Sequence, residues 1–480
     1  MPPDAAAARI AELEEEVAAL REALAASTAR NAEQQALIEQ LVERLRQDSS
    51  NSHRPPSSDG PGAAQRRERG KRSKSNRKQG GQKGRRGARR ELLDPALVND
   101  IIDLYPECCA GCAAPLLKTP DVDALRYQQV ELDLLGGRGR HITEWRRHEV
   151  RCTRCGACTR AAYDPSVIPS SPFGPNLCGV VVLLTGGYKM SRRDVSRVLH
   201  ELFRLRMSVG SVSNIEGRAS AALASAAEEA ERAVEAADVK HADGTTWLLA
   251  GVTLSLWTFA GKVATVFRVF KDGKRETIRP LFGKLFGILV SVRAKVFDFW
   301  AMALRQICWA HLLRRFIAFS ERDGPAGAIG RELVDCTALV FDYWHAFVEG
   351  ELTRDELEVW MRPVQRHVEA LLERAVAADI PRLSGSCADI LAHRQALWTF
   401  VTHEGVDPTN NHAELELRGA VLWRKRSFGC QSERGLRFVE CVMTVVHTAR
   451  KQGKDVLDFL VRSITAYATG TTSPALIEAA

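Results

Sequence analysis

The sequence lacks any run of apolar residues long enough to cross a membrane. Its longest apolar stretch lies at about residues 177–184, whereas a membrane-spanning helix needs about 20 such residues. The first residues also lack the charged-then-apolar pattern of a secretory signal. We therefore expect a cytoplasmic protein with no membrane partner. With 480 residues, nearly half of them apolar, the chain is long enough for several domains and a sizeable core.

Net positive charge is confined to one segment. Residues 51–90 contain 14 lysines or arginines and two acids, a charge of +12. Because the whole chain carries +8, the other residues sum to −4. Bases interleaved with Gly, Ser and Gln are typical of arms that bind phosphates without reading bases, and a solubilising tail is the alternative. The arm residues predicted to bind DNA are Arg66, Arg67, Arg69, Lys71, Arg72, Lys74, Arg77, Lys78, Arg85 and Arg86.

A heptad repeat of branched and leucine residues occupies residues 5–48. Branched residues at one heptad position with leucine at the other favour a parallel two-stranded coiled coil, in which Asn31 would fix the register. The alternative is one amphipathic helix packed on its own core, but six heptads favour the coiled coil. The repeat therefore predicts a homodimer or a higher oligomer.

Twelve cysteines do not indicate a disulfide framework in a cytoplasmic chain. Two C-x-x-C pairs instead provide the four thiolates of a closed, structural zinc site: Cys109, Cys112, Cys152 and Cys155. Alternating residues at 127–135 and 141–151 predict two strands between the pairs, hence a zinc ribbon. Cys108 and Cys158 lie close enough in sequence to replace a neighbour, and four unligated cysteines are the remaining alternative.

Helical patterns follow at residues 171–237, and they include a helix, a short turn and a helix that opens on small polar residues. That order is typical of a helix-turn-helix reader, although any helical bundle gives it. Strands are then predicted at residues 246–256 and 257–270, after an acid at Asp243, and a buried strand at 286–293. An acid on the first strand of an antiparallel meander fits a ribonuclease H-like sheet.

Residues 407–429 combine turn residues, an acid and a run of bases. A helix is predicted to begin at Asn410 or Asn411, which places Glu414 in its first turn. A carboxylate on a fixed turn beside cations suits a metal ion that meets a phosphodiester backbone. A capped surface helix is the alternative. Outside the arm, the residues predicted to bind DNA are Arg314, Arg418, Arg424, Lys425 and Arg426.

The segments Asn-Asn-His-Ala-Glu at 410–414 and Trp-Arg-Lys-Arg-Ser-Phe-Gly at 423–429 resemble the signature of transposases of the bacterial insertion sequence 66 family. The resemblance extends over most of the chain and includes a zinc-binding module. It implies that Glu414 is the last acid of an Asp-Asp-Glu metal triad and that Asp243 is the first. It also implies catalysis with Mg²⁺ or Mn²⁺.

Two positions depart from the family pattern. Val292 stands where the family has its second aspartate, and valine offers no oxygen to a hard divalent cation. Asp298 is a candidate substitute, but a displaced acid seldom reproduces metal geometry. Gly244 replaces the glutamate that usually follows the first aspartate. A Cys-x-x-His element, Cys308 to His311, also resembles the family; it could bind a metal, but we interpret it as a brace for the sheet.

The sequence thus predicts a multidomain α/β protein. The predicted parts are a coiled coil (5–48), a disordered basic linker and arm (49–92), a zinc-binding module (93–170), a helical region (171–237), a ribonuclease H-like core in two parts (238–316 and 406–467), a helical insertion (317–405) and a frayed tail (468–480).

The resemblance implies a transposase that cuts element ends and joins them to target DNA by two-metal phosphodiester transfer. Accessory proteins are among the partners considered. Val292 favours an alternative, a catalytically dead DNA-binding dimer derived from such an enzyme. A zinc-containing DNA-binding regulator and a coiled-coil scaffold are further alternatives, and neither explains the signature at residues 410–429.

Overall fold

A computed structural model of the chain describes residues 3–46, 91–134, 139–282 and 286–478. The chain divides into two units, Met1–Lys78 and Gln79–Ala480. The basic arm, with all its predicted DNA-binding residues, lies outside the described residues. Within the described residues, no helix combines the length and apolarity that crossing a bilayer needs.

The first unit contains one long helix, α1 (Pro3–Arg46). Leucines at the predicted heptad positions are exposed in the single chain, Leu20 by 64% and Leu24 by 68%. Exposing apolar side chains to water along a helix is unfavourable in free energy, and packing against a partner helix would bury them. The coiled coil stays a prediction, because the structure contains one copy.

The second unit begins with two small sheets. Strands β1 (Asp100–Leu104), β2 (Leu125–Glu131) and β3 (His141–Arg147) form a three-stranded sheet in the order β1-β3-β2. Strands β4 (Glu149–Arg151) and β5 (Cys158–Arg160) form a hairpin. The strand expected to run through residues 141–151 is therefore broken after Arg147. His148 lies at this break, and its Nε2 is hydrogen-bonded to Oδ1 of Asp103 (2.8 Å).

Four helices follow where the sequence predicts a helical region: α2 (Pro175–Val182), α3 (Arg192–Phe203), α4 (Val209–Ala222) and α5 (Ala224–Ala236). Ser191 and Ser208 begin α3 and α4, because each hydroxyl accepts a hydrogen bond from a backbone N–H of the first turn.

A five-stranded mixed sheet forms the centre of the second unit. Its strands are β6 (Val239–Leu249), β7 (Val252–Ala260), β8 (Thr265–Phe270), β9 (Ile288–Ser291) and β10 (Arg305–Ile307). Their order is β10-β9-β6-β7-β8; β6, β7 and β8 form an antiparallel meander, and β9 and β10 run parallel to β6. A short helix, α6 (Arg275–Ile278), lies between β8 and β9.

The strand predicted at residues 246–256 is wrong at its centre. Ala250 and Gly251 both have positive φ, 49° and 84°, and they turn the chain between β6 and β7. The apolar residues on both sides conceal this two-residue hairpin turn. Asp243 consequently lies near the middle of an 11-residue strand.

Helices cover the sheet, and the inserted ones form a core of their own. The inserted helices are α7 (Trp309–Ser320), α8 (Gly324–Val348), α9 (Arg354–Ala377), α10 (Ser384–Ala392) and α11 (Thr399–Thr402). Their apolar faces pack with β9 and β10. The last helices are α12 (Asn411–Ser427), α13 (Glu433–Lys451) and α14 (Val456–Thr469); they share the main core with β6–β8 and α2–α5.

Helix α13 also covers the edge strand β8. Thr448 and Thr444 accept the outward N–H groups of Thr265 and Phe267 (3.1 and 3.0 Å), and Glu440 accepts that of Val269 (2.7 Å). An unpaired edge is a site for unwanted strand pairing, so these side chains complete the sheet.

The predicted frayed tail is wrong for residues 471–478. Leu476 is fully buried in the main core. The amides of Leu476 and Ile477 donate to the two carboxylate oxygens of Glu229 on α5 (2.8 and 2.9 Å). One buried leucine and two hydrogen bonds to a charged group are enough to hold a short segment.

Candidate metal and nucleic-acid site

Two acids that are distant in sequence line one cleft of about 590 Å³. Asp243 comes from the middle of β6, and Glu414 from the first turn of α12. The other lining residues are His311, Asn411, Leu415, Leu417, Arg418 and Val421. The structure thus brings together the first and third predicted acids.

Val292 directly follows β9, whose last paired residue, Ser291, lies opposite Ala242 on the parallel strand β6. Asp243 follows Ala242, so the two positions lie at the same end of this strand pair, although Val292 is not among the described residues that line the cleft. An acid at this end of β9 would suit a metal site shared with Asp243. Valine has no ligand atom to place there.

Asn410 fixes the start of α12 against the sheet. Its fully buried side chain donates to the Ala242 carbonyl (2.9 Å) and lies 3.3 Å from Nδ1 of His241. Its backbone N–H donates to Sγ of Cys308 (3.2 Å). Because Ala242 precedes Asp243, these contacts set the position of Glu414 relative to Asp243.

We expect Asn410→Leu to lower stability by about 2–4 kcal/mol, because it leaves the Ala242 carbonyl and His241 buried without their partner. The thermal midpoint measures this change. The matched control is Asn411→Leu at the exposed neighbouring position, which should have little effect. Equal midpoints for the two variants would contradict the positioning role of Asn410.

The cleft disfavours negative charge in the absence of a cation. Burial raises the pKa of Asp243 to about 6, the Glu414 carboxylate adds to the rise, and the Gly244 N–H (2.8 Å) opposes it. Two acids arranged so that one resists ionisation are typical of a site that a metal ion neutralises.

This raised pKa predicts a pH-dependent stability. Asp243 favours the folded state while protonated, and the contribution is lost as pH rises through about 6. Without added Mg²⁺ or Mn²⁺, we expect Asp243→Asn to stabilise the chain at pH 8 by about 1–2 kcal/mol, after allowing for solvent screening, and not at pH 4. Thermal midpoints at both pH values measure the difference, with the exposed Glu404→Gln as a neutral control. If Asp243→Asn left the thermal midpoint at pH 8 unchanged, the raised pKa of Asp243 would be refuted.

His311 also faces the cleft, which the sequence interpretation missed. Its Nδ1 lies 3.4 Å from Oε1 of Glu414, and Arg314 Nη2 lies 3.8 Å from the same oxygen. Burial and the nearby Arg314 lower the pKa of His311. The Cys-x-x-His pattern was the available signal, but only the fold shows that it faces Glu414.

A buried ionic network holds the opposite side of α12. Glu416 lies 3.1 Å from Nζ of Lys451 and bonds Nδ1 of His447 (2.5 Å), both on α13. Burial opposes ionisation of Glu416, yet the bond to His447 and the charge of Lys451 lower its pKa to about 2. The ring of His412 stacks on His241 of β6, with ring centroids 4.9 Å apart. These contacts hold α12 in one orientation.

The four predicted DNA-binding residues of α12 differ in their surroundings. Arg418, Lys425 and Arg426 are exposed, and Arg418 lines the cleft. Arg424 instead contacts Thr246 and bonds Oγ1 of Thr245 (2.9 Å), which connects α12 to β6.

Asp298 is not one of the described residues that line the cleft. Its carboxylate lies 3.5 Å from Arg305, 3.6 Å from Arg275 and 3.7 Å from His393. Gly244, the other departure, lies under the Trp257 ring, and a Cβ there would approach the ring to 2.9 Å. A larger residue at 244 would therefore displace Trp257.

The two C-x-x-C pairs meet in a four-cysteine cluster. Sγ of Cys109 lies 3.5 Å from that of Cys155, and Sγ of Cys112 lies 3.7 Å from that of Cys152. All four sulfurs lie within 4.8 Å of one another. Tetrahedral Zn–S bonds of about 2.3 Å require sulfurs about 3.8 Å apart, so the cluster fits zinc. Cys108 and Cys158 are exposed and lie outside this cluster.

Paired carboxylates beside exposed arginines, at a mixed sheet covered by helices, are typical of metal-dependent enzymes that act on nucleic-acid backbones. The family model described as Transposase IS66 family matches residues 171–437, more than half of the chain. The chain therefore belongs to the IS66 transposase family.

Two further similarities are less informative. A family of unknown function, DUF6444, matches residues 1–91. The uncharacterized protein y4qI of Sinorhizobium fredii is 26% identical over 171 residues, which cover 34% of this chain and 31% of that protein. The match thus spans about a third of either protein.

Proposed function

We propose that this chain derives from a DNA transposase that cuts element ends and joins them to target DNA by metal-dependent phosphodiester transfer. The observation that carries the proposal is the meeting of Asp243 and Glu414 in one cleft. The residues matched by the family model include both acids.

The sheet supports a ribonuclease H-like core. An antiparallel meander, β6–β8, is followed by two strands parallel to its first strand, and the first acid lies on that strand. The helical insertion comes between β10 and the Glu414 helix, as the sequence predicts. The acids of such a core converge although the insertion separates them in sequence.

The donor set fits a divalent cation only in part. Asp243 and Glu414 offer carboxylate oxygens, and buried Oε1 of Glu414 has no hydrogen-bond partner. A bound Mg²⁺ or Mn²⁺ would activate the attacking oxygen and stabilise the leaving one. The chain's own contribution is to hold both acids at fixed positions, through β6 and through Asn410, while the exposed Arg418, Lys425 and Arg426 bind the phosphates.

This copy has lost the middle ligand. Val292 directly follows β9 at the same end of the strand pair as Asp243. The Asp298 carboxylate lies near Arg275, Arg305 and His393 and does not line the cleft. We therefore propose that the unaltered chain binds DNA and transfers strands weakly or not at all. A DNA-binding dimer derived from a transposase is the second candidate function, and Val292 is the observation that favours it.

An electrophoretic mobility shift assay tests DNA binding separately from strand transfer. Asp243→Asn should leave the electrophoretic shift of element-end DNA unchanged or stronger, because it removes a negative charge from the cleft. The double variant Arg418→Ala and Arg426→Ala should weaken the shift and reduce its salt dependence. A control, the exposed Arg362→Ala on α9, should have no effect. No shift by the unaltered chain at low salt would sink the proposal.

A further inference from the structure

Three potential metal ligands converge where α7 and α12 begin. Cys308 immediately precedes α7, His311 is the third residue of α7, and Glu414 lies in the first turn of α12. The spacing of three residues places Cys308 and His311 on one face of the helix. One ligand atom from each of the three residues lies within 4.8 Å of the other two. Asp243 is not a member of this cluster.

Two of the ligand atoms are buried and make no hydrogen bond. They are Nδ1 of His311 and Oε1 of Glu414, which lie 3.4 Å apart. Burying polar atoms without hydrogen bonds is costly. Two donors bound to one ion at about 2.1 Å each would lie at such a separation.

The sulfur of Cys308 is held in place by the start of α12. It is buried and accepts the Asn410 N–H (3.2 Å). Hydrogen bonds from outer groups orient metal ligands and tune them.

We propose that Cys308, His311 and Glu414 bind a transition-metal ion of the Zn²⁺ class in the cleft, separately from the four-cysteine cluster. Thiolate and imidazole select zinc over Mg²⁺, which prefers oxygen ligands. The thiol proton passes to solvent as the ion binds. Three protein ligands leave the fourth position open, and the ion joins the two helices that flank the cleft. The proposal goes beyond the proposed function, since it concerns metal binding without DNA.

Metal analysis of the full-length chain tests this site. After dialysis against Zn²⁺ at neutral pH, we expect two zinc ions per chain, one of them in the four-cysteine cluster. Cys308→Ser and His311→Ala should each lower the content to one ion, with an affinity loss of more than about 100-fold at the second site. Co²⁺ bound in place of the second ion should show thiolate charge-transfer absorption that Cys308→Ser removes.

Matched controls come from the inserted helices. Cys336→Ser replaces another buried helical cysteine, and His345→Ala another helical histidine; both should retain two ions. Should Cys308→Ser fail to fold by circular dichroism, His311→Ala decides, because that side chain is partly exposed. One ion per unaltered chain, or two ions in His311→Ala, would overturn the proposal. Neither result decides whether the chain binds DNA or transfers strands, because separate assays measure those activities.

Discussion

Restoring the missing acid by Val292→Asp is expected to raise Mg²⁺- or Mn²⁺-dependent joining of element ends to target DNA at least about 100-fold. Loss of an outer partner of a metal ligand already costs 10–100-fold, and a direct ligand contributes more. β9 ends one residue before position 292, with Ser291 opposite Ala242, so the new carboxylate would lie at the same end of the strand pair as Asp243. Strand transfer of labelled ends measures the gain.

The matched control is Val292→Asn, which has nearly the same shape as the aspartate variant without its charge and should recover far less activity. Adding Glu414→Gln to Val292→Asp should abolish the gain, because both acids serve one site. Strong activity of the unaltered chain that Asp298→Ala abolishes would refute this assignment and make Asp298 the second acid.

Loss of one cysteine from the four-cysteine cluster is expected to unfold the part of the module around it. Structural zinc contributes about 10–16 kcal/mol of apparent binding energy in small zinc peptides, while whole domains are stable by only about 5–15 kcal/mol. Cys152→Ser should therefore remove one zinc ion per chain and expose the β4–β5 hairpin. Val130 and Ile142 of the neighbouring sheet belong to the main core, so β2 and β3 should stay folded.

Hydrogen exchange resolved by peptide measures this local unfolding. The controls are Cys108→Ser and Cys158→Ser, adjacent cysteines that are exposed and outside the cluster. Both should retain the zinc and the protection of β4 and β5. A chain that loses zinc through Cys152→Ser but keeps full protection of the hairpin would contradict a structural role for the metal.

The sequence predicted the features that depend on local pattern. The start of α12 at Asn411, the meeting of the two C-x-x-C pairs and the helices between β10 and α12 were indicated by turn residues, C-x-x-C spacing and amphipathic periodicity. The Asn410 side chain, however, makes no capping hydrogen bond to α12. The mixed α/β class is confirmed. The family resemblance is confirmed by the family model. The coiled coil and the arm stay predictions, since α1 is a single helix and residues 47–90 lie outside the described part.

Contacts between segments that are distant in the chain could not be predicted from the sequence. The Ala250–Gly251 turn was hidden because apolar residues flank it, and Leu476 was assigned to a frayed tail because nothing in the sequence announces Glu229 as its partner. His311 reaches Glu414 only because Asn410 connects the start of α12 to both β6 and Cys308. Pattern identifies a residue's type of chemistry, whereas its partner depends on the folded chain.

The central claim is that Asp243 and Glu414 serve one cation site, and anomalous diffraction tests it most directly. In crystals of Val292→Asp soaked with Mn²⁺, the account predicts an anomalous peak in the cleft within about 2.3 Å of an oxygen of Asp243. It also predicts that Asp243→Asn and Glu414→Gln each weaken that peak. A cleft without manganese, or an anomalous peak that neither substitution weakens, would contradict a cation site shared by Asp243 and Glu414.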